Sequence, residues 1–463
     1  MLARREAGMS RLTPLETSFF AMESPTRPMH AGGVMLFDAP EHGDVDTFVD
    51  DVFARFRATP AVPPWNRRPV IRLPLPHWEA VENVELDYHV RRATLPRPGS
   101  IQQLMELVSH LYPTLLDRDR PLWEAYIIDG IEHGRTAVFV KAHHSLADGV
   151  GGLKMFFGSL SNSPDDDPRP VWAGPRENSP RRSTSEESGW ASRIARVAQM
   201  PRALAQSVPD TVRLALDGPA PPFMAAKTPT TGTHISAARS FAALELPLSD
   251  VKRVGKAHGA TVNDVLLSLC DDAMHRYVSE EQGVDAGRMV AIMPLSTRKE
   301  GDEATHAAGA VLVSLGAPSA TPQERIKQVV ASTHHVKARV RRASPLAFQL
   351  QTFAVLAAME LREQLPVGRS LVPNVANFTL SNVSGSPSGA LYLGRAQMAA
   401  LYAVPSVTGS NAANITVIPY RESLCIGIGA ARNLIPNTPR LAELIQASFA
   451  GLRERLPTKV ASR

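Results

Sequence analysis

The chain has 463 residues, 44% apolar and 21% charged, and its 50 Lys and Arg against 45 Asp and Glu give a net charge of +5. That length exceeds the usual size of one hydrophobic core, so two halves with a cleft between them are expected, and the apolar share excludes global disorder. The slight basic excess favours anionic surfaces or phosphorylated ligands, whereas no zinc-finger spacing, heptad-backed basic helix or aromatic ribonucleoprotein motif supports nucleic acid as a partner.

The polar, charged start from Met1 to Arg11 lacks the apolar stretch of a secretory signal, which predicts a cytoplasmic protein. Cys270 and Cys425, both inside apolar runs, are too few for a disulfide framework and read as core. Thr136–Ala142 is a short β-branched run and predicts a strand that ends at His143 and His144. After Gly149, Leu153, Phe156, Phe157 and Leu160 recur at helical spacing, so strand, loop and helix follow in order. From Asn162 to about Ser188, Ser, Pro, Asp, Arg and Glu dominate, which reads as the start of a flexible linker. Trp190–Leu216 regains helical spacing, and Asp217–Thr233 is loose again. A crossover with a helical segment is therefore expected at 162–240, between an N-terminal half at 1–161 and a C-terminal half at 241–463.

In the second half, Thr261 and Asp264 have capping-box spacing ahead of an apolar-periodic run, which puts Asn263 in the first turn of a helix. Further helices are predicted to begin at Thr321-Pro322, Ser344-Pro345 and Thr438-Pro439, each a polar cap followed by proline. Strands are expected at Met289–Leu295, Val311–Leu315 and Phe378–Val383, with a hairpin from Ile415–Ile418 to Leu424–Ile428. The fold class is α/β with mixed sheets. The most apolar helical stretch, Leu346–Leu361, is interrupted by Gln349, Gln351 and Glu360 and is too short to span a bilayer, so membrane contact should be peripheral.

The run His143-His144-Ser145-Leu146-Ala147-Asp148-Gly149 joins a base of near-neutral pKa to a carboxylate at a strand end. Imidazole at His144 is suited to taking a proton from an alcohol. Asp148 is suited to pinning the loop through an arginine, and Gly149 to a backbone turn that a Cβ would block. The residues alone leave a pair of structural histidines open, with His143 simply packing. They also leave a metal site open, although no third ligand lies nearby and adjacent strand histidines face opposite ways, so no metal is expected.

The same run resembles the acyltransfer motif of the bacterial wax ester synthase/diacylglycerol acyltransferase family, within the chloramphenicol-acetyltransferase and condensation-domain superfamily. Leu12–Phe20 with Pro28–Gly32 looks like the family's N-terminal signature, and Pro121-Leu122-Trp123 matches its Pro-Leu-Trp segment. Asn263-Asp264 matches its Asn-Asp motif, and Ser381–Gly385 resembles its Ser-Asn-Val-Pro-Gly loop. The chain departs from the family where Glu16 replaces Asp, Ala310 replaces the Asn of a Gly-Asn pair and Ser384 replaces Pro, and no Asp stands near Arg432-Asn433.

The resemblance implies two chloramphenicol-acetyltransferase-like halves with the active site at their interface. It implies an acyl-CoA-dependent O-acyltransferase making triacylglycerol from diacylglycerol, wax esters from long-chain alcohols, or both. His144 would be the general base, supported by His143, Asp148 and Gly149, and Asn263 would orient the reacting groups or receive oxyanion charge. Pro121, Leu122, Trp123, Ser381 and Asn382 are substrate-binding candidates. Trp123 as a core aromatic, Asp264 as a helix cap, and Ser381 and Asn382 as turn formers are the plain alternatives. The expected partners are acyl-CoA as co-substrate, with no further cofactor, a hydrophobic alcohol, and a lipid surface on the inner membrane face or a droplet. The rivals are an acyltransferase for another lipid or polyketide alcohol and a catalytically weak lipid-binding homologue. The lack of a convincing Gly-x-Ser-x-Gly elbow argues against a serine-nucleophile lipase.

Overall fold

The computed structural model describes residues 9–71, 76–146, 149–176, 225–231, 234–296, 308–343, 345–364, 374–383, 385, 387, 389–407 and 411–455. The chain opens with β1 (Met9–Arg11), α1 (Pro14–Met22), β2 (His30–Phe37), α2 (Val45–Ala58), β3 (Arg67–Val70) and β4 (His77–Ala80). One turn of helix, α3 (Leu86–His89), leads to β5 (Val90–Thr94), α4 (Ile101–Leu111), β6 (Trp123–Ile131), β7 (Arg135–His143) and α5 (Gly149–Ser159). Next come β8 (Arg239–Pro247), α6 (Leu248–His258), α7 (Val262–Gln282), β9 (Val290–Ser296), β10 (Ala308–Ser314), α8 (Pro322–Arg342) and α9 (Pro345–Gln364). The described chain closes with β11 (Phe378–Asn382), β12 (Tyr392–Leu393), β13 (Ala396–Val404), β14 (Ala413–Tyr420), β15 (Ser423–Ala431) and α10 (Thr438–Glu454).

The strands form a small sheet, β1-β4-β3, and two six-stranded sheets, β12-β13-β2-β7-β6-β5 and β10-β9-β11-β14-β15-β8. Both large sheets are mixed, because β5 runs parallel to β6 and β11 runs parallel to β9 and β14. The boundary between halves is less simple than a cut in sequence. β12 and β13, far into the C-terminal part, complete the N-terminal sheet, with β13 pairing from Gly32↔Val404 to Phe37↔Met398. The reason lies in β2, whose Val34, Met35, Leu36 and Phe37 are all buried; so apolar a strand cannot remain an unpaired edge.

The crossover also begins later than its composition suggests. Residues 162–176 fold back on the first half, where Val171-Trp172-Ala173 makes one 3-10 turn. Trp172 is fully buried, edge-on to Phe56 at 5.2 Å and stacked on Trp123 at 4.8 Å, and its indole N–H donates to the Thr59 carbonyl. One large aromatic outweighs the polar residues around it. The helix expected at Trp190–Leu216 lies outside the described residues.

The helix starts follow the capping chemistry. Thr261 with Asp264 and Thr321 with Glu324 close capping boxes, as do Thr13 and Glu16 on α1. Glu16 also accepts the Trp78 indole N–H at 3.2 Å, so the longer acid serves two partners. On α10 the cap is Asn437 rather than Thr438, because the Asn437 oxygen reaches the Arg440 amide, whereas the Thr438 hydroxyl turns back to the Ile435 carbonyl. Cys270 and Cys425 are both buried and free.

Trp172→Ala should therefore lower stability by about 3–5 kcal/mol in urea unfolding, the range for a large aromatic removed from a core. A loss within about 0.5 kcal/mol, as for a surface residue, would return 171–173 to the linker.

Candidate active site

β7 carries its last residues to the edge of the seam between the two large sheets, and alternation along the strand sends consecutive side chains to opposite faces. His143 points inward at 1% exposure, stacked on Phe20 of α1 at 4.6 Å. Its Nδ1 accepts the Ser145 backbone N–H at 3.2 Å and lies 2.6 Å from Ser145 Oγ, which leaves the ring proton on Nε2. His144 faces the other way, stacked on Phe19 at 5.6 Å, with its Nε2 3.2 Å from Ser406 Oγ. The backbone holds both in place: the His143 amide donates to the Leu122 carbonyl and the His144 amide to the Met29 carbonyl.

Behind His143 stands a carboxylate that the sequence reading missed. Glu23, just after α1, has a side chain only 3% exposed, with Oε1 3.5 Å from Nε2 of both His30 and His143 and Oε2 2.8 Å from an Arg118 guanidinium nitrogen. Burial alone pushes its carboxyl up, but contacts with His143, His30 and Arg118 outweigh burial and hold it well below the usual carboxylate range. Burial pushes His30 below its ordinary pKa despite Glu23. The one signal was position: Glu23 falls between the two pieces of the N-terminal signature, Leu12–Phe20 and Pro28–Gly32.

A cavity of about 240 Å³ lies against His144. Gly32, Gly33 and Ala142 come from the N-terminal sheet, Leu153 and Phe156 from α5, and Thr379, Ser381, Asn414 and Thr416 from the C-terminal sheet. Two glycines define its wall: a Cβ on Gly32 would lie 2.7 Å from the Val140 carbonyl oxygen, and one on Gly33 would press on Phe156 at 3.0 Å. The lining is mostly apolar, with hydroxyls and one amide clustered on the side of the C-terminal sheet.

The candidate residues divide accordingly. Ser381 lines the cavity, but Asn382, next along β11, faces the helices and donates its amide to Asn263 Oδ1 at 2.6 Å. Neither Asn263 nor Asn382 lines the cavity, because strand alternation gives Asn382 the phase of Phe378 and Leu380, which pack into the core with α7. Asp264 caps α7 and accepts from Thr333 at 2.7 Å. Pro121, Leu122 and Trp123 are buried away from the cavity. Trp123 is clamped between His89 at 4.4 Å and Trp172, and its N–H donates to the Trp65 carbonyl; Trp65 itself reaches the cavity. The Pro-Leu-Trp segment thus backs the wall rather than forming it. Gly149 opens α5, whereas Asp148 and Ser384 lie outside the described residues. Ala310 takes the place of a polar residue by packing toward α9 with Leu312 and Ala358. Among the described residues, no three His, Cys, Asp or Glu side chains are grouped to hold a metal ion.

A family model for the wax ester synthase/diacylglycerol acyltransferase catalytic domain matches residues 12–266, and one for the family's C-terminal domain matches 307–453. The chain is 36% identical to a probable diacylglycerol O-acyltransferase of Mycobacterium tuberculosis, Tgs4, over 97% of this chain and 98% of the relative. It is 32% identical to a second from that organism, tgs2, over 96% and 99%. The solved wax ester synthase/diacylglycerol acyltransferase from Marinobacter aquaeolei VT8 is similar at 28% identity and a TM-score of 0.77, over 96% and 99% of the two chains. The first condensation domain of the CDA synthetase, at 15% identity and a TM-score of 0.58 over 96% and 95%, shares the fold.

The buried carboxylate makes stability depend on pH with a fixed sign. A carboxyl held below its unfolded pKa contributes stability that is full above about pH 4.3 and is lost as the pH falls toward the folded value. Glu23→Gln should therefore melt below the parent at pH 7, with the gap closing as the pH falls below about 4. A gap that stays constant from neutral to acid pH in melting curves would show that Glu23 is not held ionised.

Proposed function

The chain belongs to the wax ester synthase/diacylglycerol acyltransferase family and is an acyltransferase; from that premise we propose that it moves an acyl group from CoA to the hydroxyl of diacylglycerol or a long-chain alcohol, with His144 as general base. The observation that carries this reading is the approach of His144 Nε2 to a hydroxyl, Ser406 Oγ, at 3.2 Å inside a largely apolar cavity. An acceptor hydroxyl at similar range gives its proton to that nitrogen, and its oxygen attacks the thioester carbonyl. The tetrahedral adduct then expels the CoA thiolate, which takes the proton back from the imidazolium. No acyl-enzyme is required. Hydroxyls of Ser381, Ser406 and Thr416 line the same cavity and are the candidate donors to the developing oxyanion.

The remaining motif residues act through these groups. His143, held between Phe20 and Glu23, fixes the end of β7. Asn263 is a positioning residue in this scheme, because its hydrogen bond to Asn382 anchors the end of β11 and with it Ser381. Asp148 and Gly149 are assigned, from their sequence positions, to shaping the turn after the base.

The acceptor lipid sets the second part of the proposal, that the protein works docked on an anionic lipid surface. α9 exposes Leu356 at 51% and Leu361 at 48%, and it follows the basic end of α8, where Arg341 and Arg342 are exposed. Apolar side chains beside cations suit the headgroup boundary of such a surface. Among the described residues, no helix is long and apolar enough to cross a membrane.

With radiolabelled acyl-CoA and a panel of alcohols, His144→Ala should lose ester formation on the order of 100-fold or more at an unchanged melting temperature. Near-normal turnover in the folded variant would remove the general base from the mechanism. In flotation with phosphatidylglycerol vesicles, the parent should rise at low salt and release as salt screens the surface, and the pair Leu356→Glu and Leu361→Glu should stay at the bottom. Equal absence of the parent from anionic and neutral vesicles would refute docking.

A further inference from the structure

At the start of β8 a charged side chain is buried in the seam between the two halves. Arg239 is 1% exposed, and none of the described carboxylates lies within ion-pair distance of it. Its guanidinium is held by backbone carbonyls alone. One terminal nitrogen donates to Ser236 and Ala238, and the other to Thr26 at 2.8 Å and to Val407 at 3.4 Å. Thr26 belongs to the Ser24–Arg27 turn that directly follows Glu23, the carboxylate behind His143. Val407 directly follows Ser406, whose hydroxyl meets His144.

We propose that Arg239 is a positioning residue for the reaction, setting Ser406 against His144 and the Glu23 turn against His143 through one guanidinium. The physical argument is the uncompensated charge. A buried cation with a carboxylate partner tolerates the loss of a carbonyl, but one solvated only by carbonyls uncovers its charge if any of them withdraws. Both loops are thereby fixed to one planar group. Lysine is no substitute, because a single ammonium lacks the fork that serves separate segments at once. The same strand ties the opposite side of the seam, where the Phe241 amide donates to Ser109 of α4 and the Phe241 ring packs edge-on to Tyr112, whose hydroxyl donates to the His30 carbonyl. The strand that carries Arg239 is thus tied to the N-terminal half at a second point.

The proposal rests on the reading of His144 as the base, and the experiment separates the two. Turnover, KM for acyl-CoA and melting temperature are measured for Arg239→Met, Arg239→Lys, Ser406→Ala, the double variant Arg239→Met/Ser406→Ala, and His144→Ala. Arg239→Met and Ser406→Ala should each lower kcat on the order of tenfold with KM nearly unchanged, as misplacement of catalytic groups does. The double variant should be no slower than the slower single, because one residue acts through the other. Arg239→Lys should keep the melting temperature closer to the parent than Arg239→Met does and still show the loss in kcat. If Arg239→Met does not fold, Arg239→Lys carries the same cycle. Parental kcat in folded Arg239 variants, or losses that multiply in the double variant, would overturn the positioning role. Retained activity in His144→Ala would instead overturn the general base itself.

Discussion

The site exists because two sheets touch where a side chain is missing. β15 of the C-terminal sheet passes β13 of the N-terminal sheet so closely that a Cβ on Gly427 would fall 2.0 Å from the Ala403 carbonyl oxygen, and one on Gly429 would lie 3.0 Å from the Pro405 carbonyl. At such distances any side chain wedges the sheets apart. Ala403 and Pro405 lead directly into Ser406, which meets His144 from across the seam. A reaction centre shared by two halves needs this absence of bulk as much as it needs the imidazole.

On the N-terminal side the geometry is set by buried charge. The inward phase of β7 carries Lys141 and His143, and each meets a carboxylate: Lys141 Nζ lies 3.2 Å from Glu124, and His143 lies against Glu23. Lys141 also donates to the Leu111 and Thr114 carbonyls, tying the strand to the end of α4. Buried pairs of this kind add little net stability relative to apolar packing, but they penalise any register in which a partner is lost. The strand that leads to the base is thus held in phase by electrostatics at two successive inward positions, while Ala142, in the opposite phase, lines the cavity.

What could be read in the sequence was local. The strand, loop and helix around His144, the capping box of α7, the Thr321-Pro322 start of α8, and the β14–β15 hairpin all rest on residues within a few positions of one another. The pairing of β13 with β2 could not be read that way, since Ala396–Val404 has the pattern of any buried strand and its partner lies in the first forty residues or so. Glu23 escaped notice because the groups that define it, Arg118 and His143, are remote in sequence. The phase of β11 was legible in retrospect: Phe378 and Leu380 alternate with Thr379 and Ser381, so Asn382 had to share the apolar side. Trp123 was likewise marked by the apolar run Ala125–Ile128 just beyond it, the composition of a strand buried on both faces.

The path of β13 also changes what a break in the chain means. A protein whose halves met only through surface contact would separate when cut between them. Here a cut anywhere from 177 to 224 would leave a first fragment whose sheet still lacks its β13 strand and a second fragment carrying that strand, hydrogen-bonded to β2 from Gly32 to Phe37. The two pieces would complement one another by strand donation, as noncovalent partners that finish a single sheet. Covalent continuity through the crossover and physical unity of the enzyme are therefore separate properties, and the nine residues from Ala396 to Val404 serve the second.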